Sequence, residues 1–457
     1  MPKTAIMLFT RDLRVRDNPA LAAACAAAER VVPLFVADDA LLAGPAAGAS
    51  NRVRFLVDAL ADLRASLRER GGGLVLRRGD PAGETLRLAR EVGAEAVFLS
   101  EDVSRYAARR RERLGRACEA ERVGLSVHPG VTVVRPGALT PASGDHYRVF
   151  TPYWRAWEAA GWRDLAAAPE RIALPPGGAP ADHVTLETIA REFGRDPSPR
   201  LARGGESEGR ARMAAWLDGG PRGLQGYEDG HDDLAGDRTS RLAPFLKFGC
   251  VSPRELAGEA RRREGGAFVR QLAWRDFHHQ VTAAFPDIAR RDYRPYGEGW
   301  RDDRDALEAW CEGATGIPIV DAGMRQLRRE GFMHNRARMI TASFLTRHLR
   351  VDWRHGLRHF AAWLADGDVA DNAGNWQWVA GTGNSPRPNV VLNPLRQAAR
   401  FDREGEYVRG YVPELAGVAG GRVHTPWLLP EERRRELGYP APTLEPDLLS
   451  GTRRAGG

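Results

Sequence analysis

The amino-acid sequence predicts an α/β domain followed by an all-helical domain, and three observations lead to this fold class. From residue 4 to about residue 134, short apolar runs alternate with helical stretches, as in a parallel sheet covered by helices on both faces. Residues 169–180 are rich in Pro, Gly and Ala, which indicates a linker. From about residue 204 the apolar periodicity is helical to nearly the end of the chain.

We therefore divide the chain of 457 residues into a doubly wound parallel-sheet domain (1–130), a long inter-domain linker (131–203) and an all-helical domain (204–457). The predicted strands are 5–9, 31–36, 74–77, 96–100 and 125–128, and the helices between them include 19–30, 51–70 and 105–122. Asn18-Pro19 and Asp80-Pro81 each combine an N-cap residue with a proline that favours the first helical position. Ser252 and Glu255 have the spacing of a capping box.

Composition limits the classes of protein to consider. No apolar run reaches the roughly 18 residues needed to cross a bilayer. The N-terminal apolar run ends at Arg11 without a cleavage site, so we interpret it as the first strand rather than as a signal peptide. The four cysteines are widely spaced, which favours a reducing cytoplasm and predicts no metal site. A net charge of +7 permits a polyanionic partner.

Residues 366–378, read D-G-D-V-A-D-N-A-G-N-W-Q-W, are the most unusual stretch of the helical half. We predict that Asp366 caps a helix and that Asp368, Asn372 and Trp376, four residues apart, lie close to one face. A carboxylate, an amide and an indole on one face suit a planar, polar, redox-active cofactor. The alternative is a partly buried helix whose polar groups are satisfied internally.

Two further stretches carry chemistry with equally open alternatives. Thr239, Ser240 and Arg241 precede a helix and indicate either a phosphate site or a capped helix start. The helix that contains Gln271 and Trp274 presents Arg275 and His278 on the same face, either to stack on a base or as an aromatic core stripe.

Five motifs in order make the sequence resemble the photolyase/cryptochrome family, specifically the class I cyclobutane pyrimidine dimer DNA photolyases. They are T-S-R-L, L-A-W-R-D-F, T-G-I-P-I-V-D-A-G-M-R-Q-L, M-H-N-R-A-R-M-I-T-A-S-F-L and D-G-D…N-W-Q-W. The resemblance implies an α/β antenna domain joined to a helical domain that binds FAD, and it covers nearly the whole chain.

The resemblance also implies a set of cofactor-binding residues. Thr239 and its neighbours would hold the diphosphate side, Arg338 would pair with Asp366, and Asn372 would lie beside the flavin N5. The complete set implied for FAD is Tyr227, Thr239, Ser240, Arg241, Leu242, Ala243, Gln271, Trp274, Arg275, Asn335, Arg338, Asp366, Gly367, Asp368 and Asn372.

The implied activity is that of a carbon–carbon lyase, a deoxyribodipyrimidine photo-lyase. Excited reduced FAD gives an electron to a flipped-out pyrimidine dimer in damaged DNA, and the cyclobutane ring splits. The residues with implied catalytic roles are Trp376, Trp353, Trp300, Asn372 and Gln271, of which the three tryptophans would form an electron chain to the surface. The implied DNA contacts are Gln271, Trp274, Asn335, Met339, Trp378 and Arg387. We expect a monomer in the cytoplasm with no membrane partner.

A second, light-harvesting chromophore is implied by Arg52, Asp102 and Lys247, which match relatives that use 8-hydroxy-5-deazaflavin. A folate is the less favoured chromophore, because Glu101-Asp102 stands where its site has Asn-Glu.

Two positions depart from the family pattern: Gln271 replaces a Glu, and Val390 replaces an Arg. The alternatives to dimer repair are (6-4) photoproduct repair, against which Asn335 argues, and cryptochrome-type blue-light signalling. A flavoprotein that uses NAD(P)H lacks its Gly-rich fingerprint here.

Overall fold

The α/β half of the computed structural model contains one parallel sheet. Across residues 2–42, 50–295, 299–385 and 390–450, which the structure describes, the strands are β1 (Thr4–Phe9), β2 (Arg30–Ala37), β3 (Val75–Arg78), β4 (Ala96–Ser100) and β5 (Gly124–His128). Their order is β3-β2-β1-β4-β5. Ile6 of β1 lies opposite Val32 of β2 and Val97 of β4. The winding direction reverses between β1 and β4, and the carboxyl ends of strands at such a reversal form a ligand crevice.

Helices cover both faces of this sheet, so the predicted α/β class is confirmed. They are α1 (Pro19–Ala27), α2 (Asp39–Leu42), α3 (Ser50–Arg68), α4 (Pro81–Val92) and α5 (Arg105–Ala120). The side chains of Asn18 and Asp80 accept backbone hydrogen bonds at the starts of α1 and α4, as predicted. All six residues of β1 are buried, which is expected for a strand covered on both sides.

The segment between the two domains is more ordered than its composition predicts. It contains α6 (Phe150–Ala159) and α7 (Leu186–Phe193), and α7 packs on α3. The Pro-rich part is attached to the α/β domain, because Ile172 N–H donates to Arg70 O at 2.8 Å and His183 N–H donates to Leu76 O at 2.9 Å.

The remaining helices form the all-helical domain, as predicted. They are α8 (Glu206–Leu217), α9 (Tyr227–Gly230), α10 (Ala243–Phe248), α11 (Pro253–Arg262), α12 (Gly266–Ala284), α13 (Arg304–Glu312), α14 (Pro318–Glu330), α15 (Asn335–Ser343), α16 (Trp353–Trp363), α17 (Val369–Ala380), α18 (Pro394–Phe401), α19 (Glu406–Tyr411), α20 (Glu431–Leu437) and α21 (Pro446–Ser450). Ser252 caps α11 through Glu255 N–H at 3.1 Å, while the Glu255 carboxylate pairs with Arg210.

The two domains meet in a close, polar and aromatic contact. Arg14 is 1% exposed and donates to the carbonyl oxygens of Gly249 and Gly130, both at 3.0 Å. Gly249 has φ +69°, and a Cβ there would lie 2.0 Å from Arg11 O, so the approach requires glycine. Phe55 of α3 packs on Phe245 of α10 at 5.1 Å. These contacts fix the carboxyl edge of the sheet against the helical domain.

Within the described residues, no helix is both long enough and apolar enough to cross a membrane.

Candidate functional site

Helix α17 is preceded by two carboxylates with different partners. Asp368 is the N-cap, since its side chain accepts a hydrogen bond of 2.8 Å from Ala370 N–H. Asp366 forms a bidentate ion pair with Arg338, with nitrogen–oxygen distances of 3.1 and 2.8 Å. The prediction that Asp366 is the cap is therefore wrong, because a tertiary partner occupies it. The structure does contain the Arg338–Asp366 pair that the resemblance implies.

Asn372 and Trp376 follow one turn apart on α17. Asn372 is half-buried, and its Nδ2 makes one long hydrogen bond of 3.4 Å to Leu357 O. Its side-chain oxygen has no hydrogen-bond partner among the described residues. Trp376 is 2% exposed and meets Phe360 edge-on, with ring centroids 4.9 Å apart. The tryptophan is thus a core residue, whereas the amide oxygen remains available to a ligand.

Helix α12 places Arg275 and His279 against the start of α17. Arg275 donates to Val131 O at 2.6 Å, and its Nε lies 4.0 Å from Asp371. His279 is completely buried, and its Nε2 lies 3.7 Å from Asp368 without forming a hydrogen bond. Burial lowers the pKa of His279 to about 4, so this ring is neutral at pH 7.

Asp371 indicates that these groups border an internal cleft. Its side chain is 30% exposed, yet burial and the neighbouring Asp368 raise its pKa well above the usual range. Because this carboxyl group is partly exposed and yet strongly desolvated, we infer that it borders a recess, which we call the cleft. His279, Asp368 and Asp371 present ligand atoms within 4.8 Å of one another. Arg11, which contacts Asp368, and Arg275 already supply positive charge, so we assign no metal ion there.

The groups around the cleft fit FAD. Asn372 offers an amide oxygen, and His279 offers a buried ring nitrogen without a partner in the described residues. Buried polar groups of this kind are normally satisfied, so both favour a polar ligand. Gly367 allows the Arg52 side chain to approach this loop closely, because a Cβ at Gly367 would lie 3.1 Å from the Arg52 guanidinium.

On the predicted diphosphate side, Arg241 is already neutralised. Its guanidinium pairs with Glu330 at 2.8 Å and with Asp237 at 2.5 Å, and it lies 4.3 Å from the Phe332 ring centroid. Its φ of +49° places a non-glycine residue in the left-handed region, a strain that is common at functional sites. Phosphate recognition here would therefore depend on hydroxyl and backbone N–H groups more than on a free guanidinium.

The other predicted residues on this side lie around the same loop. Thr239 and Ser240 are half-buried; Leu242 is a core residue at 1% exposure, so only its backbone could meet a ligand; Ala243 is exposed and begins α10. Tyr227 is half-buried against Phe268, with ring centroids 5.3 Å apart.

The predicted DNA contacts are spread over three helices. Trp274 is half-buried and stacks on Phe150, with ring centroids 3.7 Å apart. Asn335 is exposed, and its Nδ2 lies 3.9 Å from the Met339 sulfur. Gln271 is exposed and Trp378 is half-buried, whereas Arg387 lies outside the described residues. Trp274 therefore belongs to an aromatic cluster and also presents part of its surface, so both interpretations of this stretch apply to it.

The three predicted antenna residues converge where the sheet reverses direction. Asp102 follows β4 and pairs with Arg11, which follows β1, at 3.0 Å. Arg52 donates to Ala361 O, and burial lowers its pKa to about 10. The Lys247 ammonium lies 4.3 Å from the Phe248 ring centroid and has no hydrogen bond or ion pair with any described residue. Burial, assisted by Arg11 and Arg52, lowers its pKa to about 7.

Arg11 is the residue that sequence reasoning missed. Its guanidinium contacts Asp102 of the α/β domain and Asp368 of the helical domain, and these two carboxylates outweigh burial to raise its pKa. The available signal was its position directly after the first strand, at the edge where doubly wound sheets bind ligands.

Two of the three tryptophans of the predicted electron chain, Trp376 and Trp353, are buried, and Trp300 is half-buried. Trp376 packs on Gly356, where a Cβ would lie 2.1 Å from the indole. Gly356 is in the first turn of α16, which begins with the fully buried Trp353. A β-bridge between Arg301 and Val351 brings the half-buried Trp300 to the segment before α16.

Two surface clefts lie away from these residues. A groove of about 610 Å³ is lined by Arg105, Arg109 and Arg111 of α5 and by Pro286. A smaller cleft of about 160 Å³ is lined by Trp154, Trp157 and Trp162. Neither contains a predicted site residue.

Comparison with known proteins agrees with this architecture. Residues 5–172 match the family described as DNA photolyase, and residues 268–449 match the FAD binding domain of DNA photolyase. A deoxyribodipyrimidine photo-lyase from Streptomyces griseus is 53% identical over 449 residues, 96% of each chain. A protein named cryptochrome DASH from Natronomonas pharaonis is 37% identical, over 97% of this chain and 98% of its own.

A solved structure gives the same result in three dimensions. The archaeal photolyase from Sulfolobus tokodaii, described with two FAD molecules and a novel light-harvesting cofactor, superimposes with a TM-score of 0.86 at 30% identity, over 98% of both chains. The chain belongs to the DNA photolyase family, and its helical half is the family's FAD-binding domain. The family and enzyme predictions are confirmed.

Proposed function

We propose that this protein repairs cyclobutane pyrimidine dimers in DNA in a light-driven reaction. The observation that carries the proposal is the group of polar side chains at the start of α17. There Asn372 presents a free amide oxygen beside the Arg338–Asp366 pair, with Trp376 one turn further along. When bound in its reduced form and excited by light, FAD supplies the electron that opens the cyclobutane ring. The electron then returns to the flavin. The 53% identical relative, named a deoxyribodipyrimidine photo-lyase, supports this proposal.

The chain's own residues position the cofactor. The Arg338–Asp366 pair fixes the loop before α17 without adding net charge, and Asp368 fixes the first turn of the helix. These contacts orient the Asn372 amide towards the cleft. A neutral amide can both donate and accept a hydrogen bond, which suits a flavin ring nitrogen whose protonation changes. Thr239 and Ser240 supply hydroxyls on the diphosphate side.

Trp274, Trp378, Met339, Asn335 and Gln271 are proposed to receive the lesion. Photolyases act on a dimer flipped out of the duplex, and indole faces stack on such bases. The half-buried Trp274 is held in place by its stacking on Phe150. The exposed Gln271 and Asn335 would supply hydrogen bonds without charge. The arginine excess favours phosphate contacts, including one proposed for Arg387, and a salt-dependent affinity.

We also propose that Arg52, Asp102 and Lys247 bind an antenna chromophore. The support is the half-buried Lys247 ammonium, which has no carboxylate partner among the described residues and lies near the half-buried Arg52. Such a site favours an anionic ring such as 8-hydroxy-5-deazaflavin; a folate is the alternative. The Sulfolobus tokodaii relative is described with a second cofactor of its own.

A second candidate function is blue-light signalling, favoured by the similarity to the cryptochrome DASH. A signalling protein would bind FAD and change its redox state in light without repairing DNA. Repair of the (6-4) photoproduct is the third candidate function. For any of these functions we propose a monomer acting in the cytoplasm.

The decisive experiment uses a duplex oligonucleotide with a single thymine dimer. We expect the purified, photoreduced protein to restore the dimer to two thymines under near-ultraviolet or blue light but not in darkness, as measured by chromatography of the digested strand. A matched duplex with a (6-4) photoproduct should remain unchanged. Light-dependent reduction of FAD with no restored thymine would instead support signalling. Repair of the (6-4) substrate alone would show that the protein repairs (6-4) photoproducts and not dimers.

The tryptophan chain is tested separately with Trp376→Phe. Loss of the indole next to the cofactor should slow photoreduction of FAD by at least about tenfold, which corresponds to a barrier change of about 1.4 kcal/mol. Repair should persist once the flavin is reduced chemically. If both photoreduction and repair disappear while FAD stays bound, Trp376 does not act as a separate electron donor.

A further inference from the structure

Two buried tryptophans, on helices that pack around Trp376, differ in the partner of the indole N–H group. Trp310 meets Trp376 edge-on, with ring centroids 6.0 Å apart, and its Nε1 donates to the backbone oxygen of Thr341 at 3.0 Å. Trp353 begins the helix whose first turn packs on Trp376, and its Nε1 donates to the carboxylate of Asp292 at 2.8 Å. Both indoles are completely buried. Burial alone therefore does not favour one of them as the electron donor to Trp376.

The charge of Asp292 separates the two indoles. A carboxylate at hydrogen-bond distance stabilises positive charge on a buried indole much more than a neutral carbonyl does. Arg354 has the opposite influence, since its guanidinium lies 4.7 Å from the Trp353 ring centroid. That guanidinium is itself paired with Asp292 at 2.8 Å and with Asp352 at 3.1 Å. Because the carboxylate is closer to the indole and bonds it directly, its influence dominates.

We propose that Asp292 is a positioning residue that makes Trp353, rather than Trp310, the donor that refills Trp376. This inference rests on the electron chain of the proposed function. One electron passes from Trp353 to oxidised Trp376, and the positive charge moves onto the Trp353 indole, whose N–H proton stays in the hydrogen bond to Asp292. Trp300 then returns an electron to Trp353, and a one-electron donor in solution, such as a thiol, restores Trp300. Each step moves one electron inwards.

The test removes the charge of Asp292 and keeps the shape of its side chain. In Asp292→Asn, refilling of Trp376 after a laser flash should slow by about tenfold, because a charge-assisted bond becomes a neutral one. The matched control is Asp352→Asn, which removes a carboxylate from the same arginine and preserves the helix cap, since Asn caps as well as Asp. Asp352 also caps α16 through Arg354 N–H at 2.9 Å, and this variant should keep the wild-type rate.

A second readout does not depend on electron transfer. In the FAD-bound protein kept in darkness, the ¹⁵N-indole resonance of Trp353 should carry the downfield proton shift of a bond to a carboxylate. Asp292→Asn should move it upfield and leave the Trp310 resonance in place. Arg354→Met removes the guanidinium over the Trp353 ring and should not slow the refilling of Trp376. This variant distinguishes the effect of the Asp292 carboxylate from the effect of displacing the Arg354 side chain.

Several results would overturn the proposal. Refilling at the wild-type rate in Asp292→Asn, equal slowing in Asp352→Asn, or slowing in Arg354→Met would each remove the specific role of Asp292. These results leave the proposed function intact if the chemically reduced protein still repairs the thymine dimer in light. Absence of photoreduction in the wild-type protein would overturn both the chain and the role of Asp292.

Discussion

The groups on the two sides of Asp368 differ in how their cations are paired. On the proposed flavin side, Arg338 is matched by Asp366 and Arg241 by Glu330, so the cations are neutralised before any ligand arrives. On the proposed antenna side, the half-buried Lys247 ammonium has no carboxylate partner among the described residues, and burial lowers its pKa to about 7. Closed pairs fix geometry, whereas an uncompensated buried cation is stabilised only when an anion is bound. We therefore expect the proposed antenna site to favour an anionic ligand more strongly than the proposed flavin site does.

Opening a closed pair should have the largest effect. Arg338→Ala leaves the Asp366 carboxylate, 4% exposed, without its partner, and such losses typically cost about 3–5 kcal/mol. We expect the free energy of unfolding in urea to fall by this amount and FAD to be lost during gel filtration.

Arg435→Ala is the matched control, because its pair with Glu431 is exposed on both sides. Its effect should stay within about 0.5 kcal/mol. If Arg338→Ala destabilises the protein no more than this control, the pair on the flavin side is not the structural element that we describe.

Removing the unpaired cation should have a smaller effect that depends on pH. The folded-state pKa of Lys247 is about 7, below its ordinary value of 10.5. Between these values the unfolded chain binds more protons, so the free energy of unfolding rises with pH over this window. Lys247→Met should lack this part of the rise and lose no stability at pH 7, as measured by urea unfolding at pH 7 and 9.5.

Lys3 provides the matched control, because it is exposed. Lys3→Met should keep the full rise, and an equal rise in all three proteins would show that Lys247 is not a buried, uncompensated cation. The absorption spectrum of the purified protein gives a second measurement. Lys247→Met should lack the absorption band of the antenna chromophore and retain that of FAD.

Local sequence signals predicted the parts of the fold that local interactions determine. The caps at Asn18 and Asp80 and the strand at residues 96–100 agree with the structure because each depends on neighbours within a few residues. The cap at Asp366 was predicted wrongly for the opposite reason. A residue 28 positions away, Arg338, takes that carboxylate, and the cap moves to Asp368.

The same limit explains what sequence reasoning missed at the candidate site. Arg11 joins Asp102 across 91 residues and Asp368 across 357, and no local pattern predicts such contacts. Helices α6 and α7 were missed because the Pro- and Gly-rich surroundings obscure their short apolar faces. The resemblance supplied Arg338 and the three tryptophans of the chain, which spacing alone would not have connected.

Arg11 has one more consequence. A single guanidinium divides its charge between a strand end in one domain and a helix start in the other. Any molecule that draws Arg11 towards Asp102 weakens its contact with Asp368, so ligand binding at the proposed antenna site and at the proposed flavin site would be thermodynamically linked. Reciprocity requires each occupant to alter the affinity for the other by the same factor.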